Sequence, residues 1–258
     1  MFLPIQFLLL GLGMIKLKTQ NEINLMAEGG KISALALSEV LKSIKVGATT
    51  LSLDRIAEDV IKNQNALPSF KTVEDYKYTT CININEGLVH GIPNTYKIKK
   101  GDIVSVDLGV LYKGFHTDLS YSVEVETNNH TAFLETGIQA LEQGIFNCVK
   151  GNKIGDISNS MQRVVERAGY SVSRDLVGHG IGVDLHEDPY VPGYGGKNSG
   201  SELKVGMVFA IEIIYQKGKP KLRVANDGWT IETLDRSLGA LFEHTVAVTV
   251  DRPLVLTR

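Results

Sequence analysis

The sequence predicts one α+β domain built from two related halves. The order helix, helix, strands runs through the 258 residues twice. Each helical stretch carries a single apolar stripe at three- and four-residue spacing. The strand stretches that follow are rich in Val and Ile, and no Pro- or Ser-rich linker divides the halves. Helices packed on an antiparallel or mixed sheet satisfy this pattern.

The first helix starts at "TQNE", where Thr19 and Glu22 can form a capping box. Ile23, Met26, Ala27, Gly30, Ala34, Leu37, Leu41 and Ile44 continue it as one stripe. After "KVGATT" a second helix is expected from near Ser52, with Leu53, Ile56, Ala57, Val60 and Ile61 on one face. Residues 78 to 125 read as strands. The second half repeats the scheme: Leu134, Ile138, Leu141 and Ile145 mark a helix ending near Gly151. Ile154, Ile157, Met161, Val164, Val165 and Ala168 mark another, stopped by Gly169 as a C-cap. "GMVFAIEIIY", "KLRVAN", "GWTIET" and "ALFEHTVAVTV" are the closing strands, and the Gly-rich 192–202 reads as a surface loop.

Ahead of this lies "MFLPIQFLLLGLGMIKLK", apolar but with no positive residue before the run and no small-x-small cleavage site. It falls short of the roughly 20 residues that span a bilayer. Residues 1–13 are therefore expected to be a tail or an upstream start ahead of Met14, with a weak membrane anchor as the other reading. Residues 14–258 form the expected domain. Lys plus Arg number 27 and Asp plus Glu 29, a net charge of -2, which gives nucleic acid nothing to hold. Cys81 and Cys148 stand far apart without a CxxC pair, as suits a reducing cytosol rather than a disulfide framework.

The chemistry shows in acidic residues set inside apolar strands. "SVDLGVLYKGFHTDLS" reads as a hairpin with Asp107 and Asp118 in its arms. With Tyr112-Lys113 as the loop, the two are direct cross-strand neighbours, Cβ atoms about 4.5–5.5 Å apart. Like charges so placed call for a shared proton or a cation between them; solvated residues on an exposed face are the plainer alternative. Glu212 in "VFAIEIIY" and Glu243 in "GALFEHTVAV" repeat the anomaly, and His179 in "VGHGIG" adds an imidazole between glycines. His116 and His244 are read as facing the opposite side of their strands or solvent. Four carboxylates with one imidazole suit Mn, Fe, Co or Zn, and five ligands exceed the needs of one small ion. Two metals bridged by carboxylates use them all.

In order and spacing, "VHGIP", "GDIVSVDLG", "GFHTDLS", "GHGIG", "LHEDPYV", "AIEI", "DGWTI" and "DRSL…FEHTVAVT" resemble the type I methionine aminopeptidases. The likeness runs from Met14 to about Val250. It implies the pita-bread fold and two divalent ions: Asp107 on one, His179 and Glu212 on the other, Asp118 and Glu243 bridging. It implies His90 and His186 over the substrate, and Glu212 as general base to a metal-bridging hydroxide that attacks the first peptide bond. The expected substrates are N-terminal segments of new polypeptides that lose their initiator methionine. A cytoplasmic monomer near the ribosome is the expected setting. The chain departs from the family pattern at the pocket. Phe70, Tyr76 and Tyr78 of "SFKTVEDYKYTT" are its expected walls with Val89 and Trp229, while Val89, Ile213 and Leu241 stand where Cys, Pro and Gln are usual. A proline-directed peptidase of the same fold and a non-catalytic binding module are the alternative readings.

Overall fold

The computed structural model describes residues 15–258; the expected N-terminal tail and Met14 lie outside the described residues. The elements in order are α1 (Gln20–Ser43), α2 (Thr50–Asn63), β1 (Leu67–Pro68), β2 (Thr80–Ile84), β3 (Gly87–Val89), β4 (Ile103–Tyr112) and β5 (Phe115–Glu124). The second half holds α3 (Thr131–Asn147), α4 (Ile154–Arg167), β6 (Ser171–Val172), β7 (Val177–Gly180), β8 (Glu187–Pro192), β9 (Val208–Gln216), β10 (Leu222–Val224), β11 (Ile231–Thr233), β12 (Gly239–Ala247) and β13 (Leu254–Val255).

The helix starts follow from capping chemistry. Thr19 N–H donates to the Glu22 carboxylate at 2.7 Å, and the Thr19 hydroxyl accepts from Glu22 N–H at 3.4 Å. α2 begins two residues ahead of the expected Ser52. Thr49 is the cap, so Ser52 sits inside the first turn, and the two exchange side-chain and backbone hydrogen bonds. α3 stops at Asn147, before Gly151, and Gly169 takes φ +83 just beyond α4, a backbone state that glycine adopts without strain.

The long sheet runs β1-β4-β5-β12-β9-β7-β8, with β2 on β4, β6 on β9 and β13 on β12. Every pairing is antiparallel. β4 and β5 come from the first half and β9 and β12 from the second, so the halves meet along β5 and β12. α1 packs on β4 and β5, and α3 on β9 and β12. A small sheet, β10-β11-β3, stands apart. Two cores lie under the helices. One holds Leu37, Val40, Leu53, Ile61, Val106 and Leu108; the other holds Phe133, Met161, Ile211, Ile213, Tyr215 and Phe242.

Gly137 marks how tightly α3 meets the sheet. A Cβ there would stand 2.4 Å from Phe242 Cδ2 and 2.7 Å from Tyr215 Cε1, both rings fully buried. Gly137→Ala is therefore expected to destabilise by about 1–3 kcal/mol, as overpacking does, despite the better helix propensity of alanine. Urea unfolding checks it; a more stable variant would refute the packing argument.

The β4–β5 hairpin corrects the sequence register. The turn is Lys113-Gly114, with φ 48 and 85, the pair of positive values a tight two-residue hairpin needs. Asp107 consequently faces Ser120, and Asp118 faces Gly109. The aspartates are diagonal rather than direct neighbours. Because side chains repeat every second residue, a slip of two leaves both on the same face.

Candidate metal centre and substrate cleft

Strand register alone assembles the site. Asp107 on β4 pairs with Ser120 on β5, Ser120 with Glu243 on β12, and Glu243 with Glu212 on β9. This is one row across four adjacent strands, on one face. Asp118 lies two residues from Ser120, on that same face. His179 on β7 pairs with Ala210, itself two residues from Glu212, so the imidazole joins the row. Ligating atoms of Asp118, His179 and Glu243 all fall within 4.8 Å of one another.

The sheet is opened locally at this point. Thr245, next in line to face Asp118, places its hydroxyl in the ladder: Oγ1 accepts from Asp118 N–H at 2.8 Å and donates to Asp118 C=O at 2.8 Å. The strands are thus held apart beside Asp118 without orphaning its backbone. Gly109, opposite Asp118, leaves room for the chain above it. A Cβ there would come 2.7 Å from Ser69 Cβ and 3.1 Å from Phe70 Cε1.

The electrostatics match the crowding. Asp107, Asp118, His179 and Glu243 are at most 9% exposed, whereas Glu212 keeps partial access to solvent. Burial pushes Asp118 up to about 7. Burial, and then the Asp118 charge, pushes Glu212 up to about 8. Burial and the neighbouring carboxylates hold Asp107 and Glu243 well above the ordinary range. Asp107 Oδ1, Glu243 Oε1 and Ser120 Oγ are buried with no hydrogen-bond partner among the described residues. An orphaned buried acceptor costs about 1–3 kcal/mol, more when charged, so the row stands incomplete without positive charge.

His179 Nδ1 lies 2.8 Å from the Gly180 carbonyl, which can only accept. The proton is therefore on Nδ1, and Nε2 keeps its lone pair for a ligand. Burial lowers His179 to about 4. The His186 ring stands 4.4 Å from that of His179, edge to face. His186 keeps an exposed side, but the protein packed around its ring desolvates it, and this, with His179, His90 and His116, lowers its pKa. His90 follows β3 with φ 59, a strained value for a residue with a side chain, and burial lowers it to about 4. Gly91 after it runs so close to β2 that a Cβ would meet Ile82 O at 2.3 Å. His90 lies near enough to His186 for its charge to lower the His186 pKa.

His116 differs from expectation. It lies two residues before Asp118, on the same face, and is 6% exposed, with Nδ1 2.9 Å from Ser69 Oγ. The alternation of β5 carried this signal. His244 does turn away, to Thr257 Oγ1 at 2.8 Å.

On one side of the row Phe70, Tyr76, Cys81, Ile181 and Leu185 form a buried apolar cluster, with Val73, Tyr78, Phe115 and Trp229 packed on it. The Tyr76 ring lies tilted 5.2 Å from Trp229 and edge to face 5.9 Å from Tyr78, centroid to centroid. Cys81 pairs directly with Asp107 across β2 and β4, so this cluster adjoins the acidic row. Leu185 and Cys81 were not expected in the pocket from the sequence, although each stands beside a motif that was. Val89 is separated from these walls. It packs with Leu88, Ile214 and Leu241 at the far side of the row. Ile213 points into the helix-covered core.

The sequence signature of metallopeptidase family M24 matches residues 24–250. Methionine aminopeptidase 1 of Bacillus subtilis is 42% identical over 247 residues, covering 95% of this chain and 100% of the relative. The crystal structure of methionine aminopeptidase from Thermotoga maritima superposes with TM-score 0.93 at 40% identity, over 95% of this chain and 100% of that one. The prolidase of Pyrococcus furiosus shares the fold at TM-score 0.77 and 23% identity, with 94% of this chain on 65% of that one. The common architecture is the pita-bread fold. With its fold and motif order in agreement over nearly the whole length, this chain belongs to metallopeptidase family M24, among the type I methionine aminopeptidases.

Proposed function

We propose that this protein is a metal-dependent aminopeptidase that removes methionine from the N-terminus of polypeptides. The observation that carries the reading is the acidic row: four carboxylates and one imidazole on one face, two carboxylate oxygens buried without partners. No repeat of this cost serves packing, and a binding module has no use for it. The donor set fits hard or borderline divalent ions, Mn, Fe, Co or Zn. Asp107 would hold one ion, His179 and Glu212 a second, with Asp118 and Glu243 shared between them.

When bound, such ions polarise a carbonyl and bring the pKa of water close to neutral. The side chains supply the rest. Glu212, the one carboxylate of the row with partial access to solvent, accepts the proton of the attacking water at its carboxylate and passes it to the leaving amine. His90 and His186, kept neutral, donate N–H bonds to the developing oxyanion and the departing amide nitrogen. Tyr76, Phe70, Leu185 and Trp229 exclude water from an unbranched apolar side chain.

No helix of the described residues is long and apolar enough to cross a membrane, and Cys81 and Cys148 are both free and buried. The setting we propose is a cytoplasmic monomer acting on the N-termini of new chains. The test is a panel of X-Gly-Gly peptides and one Xaa-Pro peptide, run after metal stripping and with Mn, Fe, Co or Zn restored. Metal-dependent cleavage of Met-Gly-Gly above Leu- and Ala-Gly-Gly is expected. Preferential cleavage of the Xaa-Pro peptide would replace this reading with a prolidase-like one, and no cleavage with any metal would leave a binding protein.

A further inference from the structure

We propose that Lys18 is a positioning residue for His186, acting through Glu187; the inference rests on the role given to His186 above. Lys18 Nζ and the Glu187 carboxylate form an ion pair with side chains only 5% and 3% exposed. Lys18 stands just ahead of α1, far from the β7–β8 loop in sequence, yet it is anchored there. Its backbone N–H donates to Gly206 O at 2.7 Å, and its Nζ also donates to Lys16 O at 3.2 Å.

The Glu187 carboxylate closes the loop that carries His186. Its Oε1 accepts from Val183 N–H at 2.9 Å and Asp184 N–H at 3.3 Å, while Oε2 takes Lys18. Around it, Gly182 N–H donates to Asp184 O at 3.1 Å, and His116 N–H donates to Gly182 O at 2.7 Å. The fit leaves no slack: a Cβ on Gly182 would meet Lys18 Cε at 2.3 Å and Glu187 Oε1 at 2.8 Å. His186 is adjacent to Glu187 in the chain and keeps an exposed side. The Val183 and Asp184 amides that Glu187 holds lie in the same short loop as His186, whose ring rests edge to face on that of His179 at 4.4 Å, so a shift of this loop shifts the ring against His179.

A buried ion pair adds little net stability over a well-packed apolar pair; what it fixes is geometry. Without Lys18, the Glu187 carboxylate remains buried with two amide donors and no cation. Its relief is to turn toward solvent, which releases the Val183 and Asp184 amides and loosens His186. The exposed pair between Lys16 and Asp184, 2.7 Å apart, is too solvated to hold the loop in its place.

The test uses the full chain with metal restored. Lys18→Met is expected to lower kcat for Met-Gly-Gly about 10- to 100-fold, the usual loss when a supporting partner goes. KM and metal affinity should stay as in the wild type, and Lys18→Arg should restore most of the rate. Hydrogen exchange at the Val183 and Asp184 amides should quicken at least about tenfold, with Phe242 and Ile213 unchanged. The double variant Lys18→Met/His186→Ala should turn over no more slowly than His186→Ala alone. Wild-type kcat in Lys18→Met, losses that multiply in the double variant, or unchanged exchange at Val183 and Asp184 would each overturn the proposal. Should Lys18→Met fail to fold, Glu187→Gln carries the same cycle. Wild-type turnover in His186→Ala would instead refute the role of His186, and the exchange measurement would then decide alone whether Lys18 fixes the loop.

Discussion

Glu243→Gln is expected to abolish turnover and, at the same time, to raise the melting temperature of the metal-free protein. Glu243 is 3% exposed, faces Ser120 and Glu212 directly, and has Asp118 and Asp107 close by. Folding without metal must therefore place a carboxyl where its charge is opposed on every side. Gln keeps the shape and removes the charge. Each kcal/mol so gained is worth about 2–4 °C in a chain of this size. The gain should be larger at pH 8 than at pH 5, because the cost of keeping this carboxyl protonated when folded grows as pH rises above its ordinary value. The activity loss should exceed the roughly 100-fold typical of an outer-shell partner, since Glu243 itself is to touch metal. Thermal melts after metal stripping, beside peptide hydrolysis with metal restored, measure both. A variant that stays active, or that melts lower at pH 8 without metal, would count against a metal site built from this row.

The second large effect is on pH dependence. Asp118 at about 7 and Glu212 at about 8 are raised from their ordinary values by burial. Between pH 6.5 and 8 the folded, metal-free protein therefore holds protons that the unfolded chain has already lost. Stability must fall as pH rises through that window, by about 1.4 kcal/mol per pH unit for each group fully protonated only when folded. The buried histidines act lower. His90, His179 and His244, each lowered to about 4, are neutral when folded while the unfolded chain takes up protons below 6.5. Their contribution is lost as pH falls from 6.5 and opposes that of the raised carboxylates over the range below it; above pH 6.5 the carboxylates act alone, so the net fall in metal-free stability should be steepest there. Divalent metal reverses the upper limb, because it binds the deprotonated carboxylates and displaces their protons. The rise in melting temperature on adding Mn should be small at pH 5.5 and large at pH 8. A metal-free melting temperature that climbs steadily from pH 6.5 to 8 would refute this picture.

Much of this was legible in the chain. Period and punctuation carried the helices, because a stripe of Ile23, Met26 and Leu37 or of Ile157, Met161 and Val165 has few other uses. The acidic set stood out because carboxylates in apolar strands are costly and so seldom accidental. The hairpin register did not, since Tyr112-Lys113 and Lys113-Gly114 are both plausible turns in the sequence. Only the positive φ values at Lys113 and Gly114 decide between them. His116 was misplaced although its parity with Asp118 was there to be counted. Among the pocket walls, Phe70, Tyr76, Tyr78 and Trp229 were legible, whereas Leu185 was not, because it comes from a distant segment that shares no period with them.

The sequence by itself determined which residues are expensive to bury, and hence Asp107, Asp118, His179, Glu212 and Glu243 as a group. It also determined the family, through motifs that keep their order. The tertiary structure decided what those residues do to one another. Register across β4, β5, β12 and β9 makes them a row, and Thr245 opens the ladder beside Asp118. It also decided that Val89 lies across that row from Tyr76, and that Lys18 reaches the loop of His186. The reason is physical: burial cost is a property of a residue and its near neighbours. Pairing between distant strands is fixed only when both halves of the chain pack on one sheet.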